Sequence, residues 1–102
     1  MTKLPKTVTV LSHEFSVVRV PKETIDNDHA TVDYETMQIK LAKEISGDFL
    51  RECLLHEVFH IIDYYTSGDS QIKERDIHRI SQVTFDTFKQ NPVLVKRVFR
   101  VR

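Results

Sequence analysis

The 102-residue chain contains one cysteine, two glycines, three prolines and no tryptophan. With Cys53 alone, neither an internal disulfide framework nor a cluster of thiolates around a metal can form, and a reducing cytoplasm is the expected compartment. Gly47 and Gly68 are too few and too far apart for the glycine-rich loop that cradles phosphates, which removes the P-loop and dinucleotide-binding classes. Charge of one sign is missing as well. Fifteen Lys and Arg balance fifteen Asp and Glu, so no global field exists to gather nucleic acid or anionic lipid. No run reaches the roughly 18 apolar residues of a membrane span, and the first residues lack the apolar stretch of a secretory signal. Neither export nor membrane insertion is expected.

What is present is the mixture of a globular domain, 40% hydrophobic and 29% charged. The length suits one core, so residues 1–102 are read as a single domain. Thr7 to Leu11 and Phe15 to Val20 are rich in β-branched residues and flank the polar Ser12-His13-Glu14, which predicts a hairpin closed by Pro21. An acidic, irregular stretch follows to His29. Ala30 to Tyr34 and Met37 to Leu41, joined through Glu35-Thr36, suggest a second hairpin, although on propensity alone Met37 to Leu41 could equally begin a helix. Beyond it Ser46 suits an N-cap, Asp48 a helix first turn, and Leu54, Val58, Ile61, Ile62 and Tyr65 recur at helical spacing up to Ser67-Gly68. Helix one is therefore expected over about 47–66. Leu50, Leu55 and Phe59 lie off that stripe, so it should be covered on more than one side. Ser70 is read as the cap of a second helix running to about Gln90, stopped by Asn91-Pro92, with Ile77, Ile80, Thr84 and Phe88 on one arc. Residues 93–102 form a basic tail with Lys96, Arg97, Arg100 and Arg102, read as a strand, a helical extension or a docking segment. The expected fold class is α+β: a small antiparallel N-terminal sheet of two hairpins packed on two antiparallel helices.

Chemistry concentrates in His56-Glu57-Val58-Phe59-His60, inside helix one. Histidines at i and i+4 stand about 40° apart on a helix, so their nitrogens can converge on one metal ion. Glu57 falls between them in projection, placed to act as a general base without being a ligand. Such a string arises by chance roughly once or twice per hundred chains of this composition, so its placement in an independently predicted helix matters. Zn²⁺ suits the donors, because it accepts imidazole and carboxylate and keeps an open site. A third ligand must come from elsewhere. If the two helices form an antiparallel hairpin about Ser67-Gly68, His60 faces about residue 75 and His56 about residue 79. Glu74 points inward most directly and is taken as the third ligand, with His78 and Asp76 as the competitors. His78 is also a candidate oxyanion donor. Asp63 is a candidate to orient a ligand imidazole, and Cys53, on the same face, is either a further ligand or a small core residue. Tyr64 and Tyr65 offer phenols nearby or simply pack. Met37 to Leu41 is read as an edge strand against which an extended substrate pairs.

The string Leu54-Leu55-His56-Glu57-Val58-Phe59-His60, preceded by Asp33-Tyr34-Glu35-Thr36-Met37-Gln38-Ile39 and followed by Glu74-Arg75-Asp76-Ile77-His78-Arg79-Ile80 and Asn91-Pro92, resembles small zincin-like proteins of phages and prophages, distant relatives of ImmA/IrrE-type metallopeptidases. The resemblance covers about residues 30–92 and is specific in the His-Glu-x-x-His element. It implies zinc held by His56, His60 and a glutamate of the next helix, matching Glu74, with Glu57 as base. His78 and Asp76 depart from the family pattern. In ImmA/IrrE-type proteins the role is cleavage or inactivation of a repressor, so the resemblance implies a protein substrate such as a transcriptional repressor. The expected function is thus a zinc-dependent metallopeptidase acting on a flexible protein segment. The alternative is a zinc-stabilised binding module or antirepressor without turnover. Nucleic-acid contact through the basic tail is a weaker third reading, because the neutral domain lacks an aromatic stacking surface.

Overall fold

The computed structural model describes residues 3–68 and 71–100. Strand β1 (Thr7–Val10) pairs antiparallel with β2 (His13–Val20), Val8 opposite Phe15. The connection is the two-residue Leu11-Ser12, both with positive φ (48° and 69°), so the loop is tighter than the expected Ser12-His13-Glu14. A two-residue hairpin turn needs that conformation to match the strand twist, and a chain so poor in glycine supplies it with ordinary residues. Pro21 then precedes a 3₁₀ turn, Lys22–Ile25, which ends in Asp26 and Asn27, again at positive φ.

The second hairpin is β3 (Ala30–Asp33) against β4 (Gln38–Ala42), antiparallel, with Val32 opposite Ile39. The Asp33 carboxylate accepts the backbone N–H groups of Glu35 and Thr36 at 3.0 and 3.2 Å, shaping the turn that Met37 closes at φ 56°. The two hairpins join through a parallel pairing of β2 with β4, giving the order β1-β2-β4-β3. The sheet is therefore mixed, not wholly antiparallel as expected. Alternation along a strand decides which face is apolar but not which way a neighbour runs, so residue pattern leaves this open. The order also corrects the edge: Met37 to Leu41 belongs to an interior strand, and β3 is the edge beside the site.

One face of the sheet carries Val8, Val10, Phe15, Val17, Val32, Ile39 and Leu41. It packs with Ile45, Leu50 and Ile61 into the core beneath α1 (Gly47–Thr66), where Phe15, Ile39, Leu41, Leu50 and Ile61 are fully buried. Arg19 secures the corner into that helix, its guanidinium donating to the carbonyls of Ala42 (2.8 Å) and Ile45 (2.6 Å). Ser46 occupies the N-cap position without a side-chain capping bond, and Gly47 opens the helix at φ +62°. At the other end Gly68, at φ +59°, follows the last turn, where a side chain would be strained.

The second helix, α2 (Glu74–Gln90), starts later than the sequence suggests; Ser70 lies outside the described residues. The cause is Asp63, which accepts the Ile72 N–H at 3.1 Å and holds that segment against the end of α1, so helical geometry begins only after Lys73. Contacts of Asp63 with Ile72, His56 with Ser81 and Asp48 with Lys89 run down the pair in antiparallel order. α1 is thereby sandwiched between the sheet and α2. The tail forms a short helix, α3 (Pro92–Phe99), with Pro92 in the first turn, where its missing N–H costs nothing; Phe99 meets Phe88 edge to face at 6.0 Å. The described residues form an α+β fold of a four-stranded sheet and three α-helices. No described helix is long and apolar enough to cross a membrane.

Candidate metal centre

The residues of one face of α1, Phe49, Glu52, Cys53, His56, Glu57 and His60, line a cavity of about 490 Å³. Its remaining walls are the segment Asp28 to Thr31, which leads into edge strand β3, and Glu74, His78 and Ser81 of α2. No lysine or arginine lies among these residues.

Inside the cavity the Nε2 atoms of His56 and His60 stand 3.1 Å apart. Helical spacing makes that convergence cheap, since both rings rise from the same face of a continuous helix. Glu74, at the start of α2, straddles the pair, with Oε1 2.7 Å from His56 Nε2 and Oε2 2.6 Å from His60 Nε2. These ligand atoms all lie within 4.8 Å of one another. Two imidazole nitrogens and a carboxylate match zinc's preferred donors. Bond lengths of about 2.0–2.1 Å in tetrahedral geometry place neighbouring ligand atoms roughly 3.3 Å apart, close to the 3.1 Å between the nitrogens and wider than the 2.6–2.7 Å hydrogen-bond distances to Glu74. Three such donors would leave one tetrahedral position of a bound zinc open.

The electrostatics suit ligation. Burial lowers the pKa of His56, and the neighbouring His60 lowers it further against the opposing pull of Glu74, so the imidazole is neutral with a lone pair to offer. Glu57 is 8% exposed and faces the cavity. Burial, with smaller contributions from Glu74 and Asp28, pushes its pKa up to about 8. Cys53 lines the same cavity but stands outside the three-ligand cluster, and burial pushes its thiol up to about 11, far from the thiolate a metal would need.

The other candidates fall in different places. His78 reaches the rim, its ring centroid 5.9 Å from that of His56, without joining the cluster. Asp76 lies 3.6 Å from Arg75 and 3.7 Å from Arg79 and does not line the cavity. Asp63 does not orient His60; it is 6% exposed and accepts bonds from the Ser67 hydroxyl and the Ile72 N–H, as the clasp of the interhelical connection. Tyr64 and Tyr65 pack with Tyr34, Tyr64 stacking on it at 4.0 Å. Burial, with Glu57 second, holds the Tyr34 phenol up at about 12.

Three cavity residues carried no signal in the sequence. His29 sits edge-on to Phe49 at 4.9 Å, brought in by the loop before β3. Asp28 lies beside it. Ser81, only 1% exposed, places Oγ 3.3 Å from His56 Nδ1. Its helix position was available from periodicity, but a lone serine on an apolar arc has no distinguishing spacing. No family model, curated protein or solved structure matches the chain.

Proposed function

We propose that this chain is a zinc-dependent peptidase of the zincin-like, phage or prophage type, working in the cytoplasm on a flexible segment of a protein such as a repressor. The observation that supports it most is the convergence of His56, His60 and Glu74 beside a buried, cavity-facing Glu57. Bound zinc would supply Lewis-acid polarisation of the scissile carbonyl and a water acidic enough to ionise near neutral pH. The charge of a bound cation would favour the Glu57 carboxylate, which takes the proton of the attacking water and returns it to the leaving amine. His78, which lines the same cavity, donates to the developing oxyanion in this reading. An extended peptide pairs with the open edge of β3, which leads from the cavity wall.

A serine-hydrolase reading has one observation in its favour, the string Ser81, His56, Glu74. It fails on access. Ser81 is 1% exposed and its hydroxyl donates to the His78 carbonyl at 3.1 Å, so no carbonyl carbon can reach it.

The test is metal analysis of the purified protein beside Glu57→Gln, with turnover measured on an unstructured protein. The wild type should carry about one zinc per chain and cleave; Glu57→Gln should keep fold and zinc and lose about 10²- to 10⁴-fold in rate. A metal-free protein indifferent to chelators would overturn the proposal. Zinc binding with the biological effect intact in Glu57→Gln would instead establish a binding module.

A further inference from the structure

Ser81 is the buried polar residue of α2 that the peptidase chemistry leaves without a role. It sits one turn beyond His78, on the side of α2 that meets α1, and its surroundings allow one hydrogen-bond arrangement when His56 is a ligand. The hydroxyl has a single proton, and Oγ lies 3.1 Å from the His78 carbonyl, which can only accept. When a metal occupies His56 Nε2, Nδ1 carries the ring proton, and donation to the His78 carbonyl leaves the hydroxyl lone pairs turned to that N–H, 3.3 Å away. A neutral imidazole protonated at Nδ1 presents its lone pair at Nε2, the atom that faces His60 Nε2 and Glu74.

We propose that Ser81 is a positioning residue for the metal centre: its hydroxyl accepts the His56 Nδ1–H, fixing the tautomer and the plane of the ring so that Nε2 is held ready to ligate. The inference rests on the metal reading above. An intrahelical serine whose only bond is to the carbonyl three residues back would do as well as alanine at this place in the helix. What separates the two is the His56 ring, and metal-bound histidines generally need a partner at the second nitrogen. Among the described residues Ser81 is the one hydrogen-bonded to that atom of His56. The arrangement also ties a ligand on α1 to the backbone of α2, next to the residue at the cavity rim.

The experiment measures zinc affinity by competition with a chromogenic chelator, and the visible spectrum of the cobalt-substituted protein, for wild type, Ser81→Ala and Ser81→Thr. Urea unfolding of each metal-free form serves as the control for folding. Ser81→Ala should lose 10- to 100-fold in affinity, with a shifted cobalt spectrum, and Ser81→Thr, which keeps the hydroxyl, should recover most of the loss. Affinity in Ser81→Ala within about twofold of wild type and an unchanged cobalt spectrum would overturn the inference while leaving the metal site intact. So would a Ser81→Thr protein as stable as wild type yet as weak as Ser81→Ala. A wild-type chain that takes up neither metal would overturn both the site and the role given to Ser81.

Discussion

Glu57 is a carboxyl group placed where a carboxylate is expensive. Below about pH 4.5 the folded and unfolded chains both hold its proton; between there and about pH 8 only the folded chain does. The native state then binds more protons than the unfolded one, so metal-free stability falls as pH rises through that window, by a few kcal/mol at the order of magnitude. Urea unfolding of chelator-treated protein at pH 5 and pH 8 should show the loss, and Glu57→Gln should flatten it. Equal slopes for the two proteins would remove Glu57 as the source. The histidines were legible because i, i+4 spacing is a property of the helix itself. Glu74 required one further step, the arithmetic of an antiparallel hairpin, and the structure places it against both rings. Ser81 and His29 were not legible, since a single buried serine and a loop histidine reach the site only through long-range packing.

Among the elements, the junction of α1 and α2 controls how the three proposed ligands meet, because two come from one helix and the third from the first turn of the next. Asp63 determines where that turn begins. Replacing it with Ala frees the Ile72 N–H and the Ser67 hydroxyl at once, at a cost of about 1–3 kcal/mol. We expect Asp63→Ala to lower the unfolding free energy measured in urea by that amount and to weaken zinc binding, because Glu74 follows Ile72 by only two residues. Unchanged affinity in a destabilised protein would mean that α2 is positioned by the burial of Ile77 and Ser81 instead. Edge strand β3 was misassigned for a related reason: both strands of the second hairpin have suitable residues, and only the pairing of β4 with β2 removes one of them from the edge.

In the molecule as a whole, stability is unevenly spread. The apolar core lies between the sheet and α1, whereas α2 buries only Ile77 and Ser81 and α3 buries nothing. Hydrophobic burial therefore anchors α2 weakly, and a zinc ion bridging His56, His60 and Glu74 would act as a cross-link between the two layers. A ligand that binds only the folded state stabilises it by about 2.7 kcal/mol at a hundredfold excess over Kd. Chelation should lower Tm accordingly, and amide hydrogen exchange should quicken in 74–90 well before it does in β2 or β4. Uniform loss of protection across sheet and helices would argue that the molecule opens as one unit.

Short-range order was settled by the residues alone: the first hairpin, a helix over 47–66 carrying imidazoles one turn apart, and a stop at Asn91-Pro92. Each depends on neighbours within a few positions, where backbone sterics and side-chain periodicity act directly. Tertiary structure decided the parallel seam between the hairpins, the identity of the edge strand, the conversion of Asp63 into a clasp, and the meeting of Ser81 with His56. Those outcomes depend on which surfaces bury each other, and alternating patterns of similar apolarity leave several arrangements equal until the whole chain is packed.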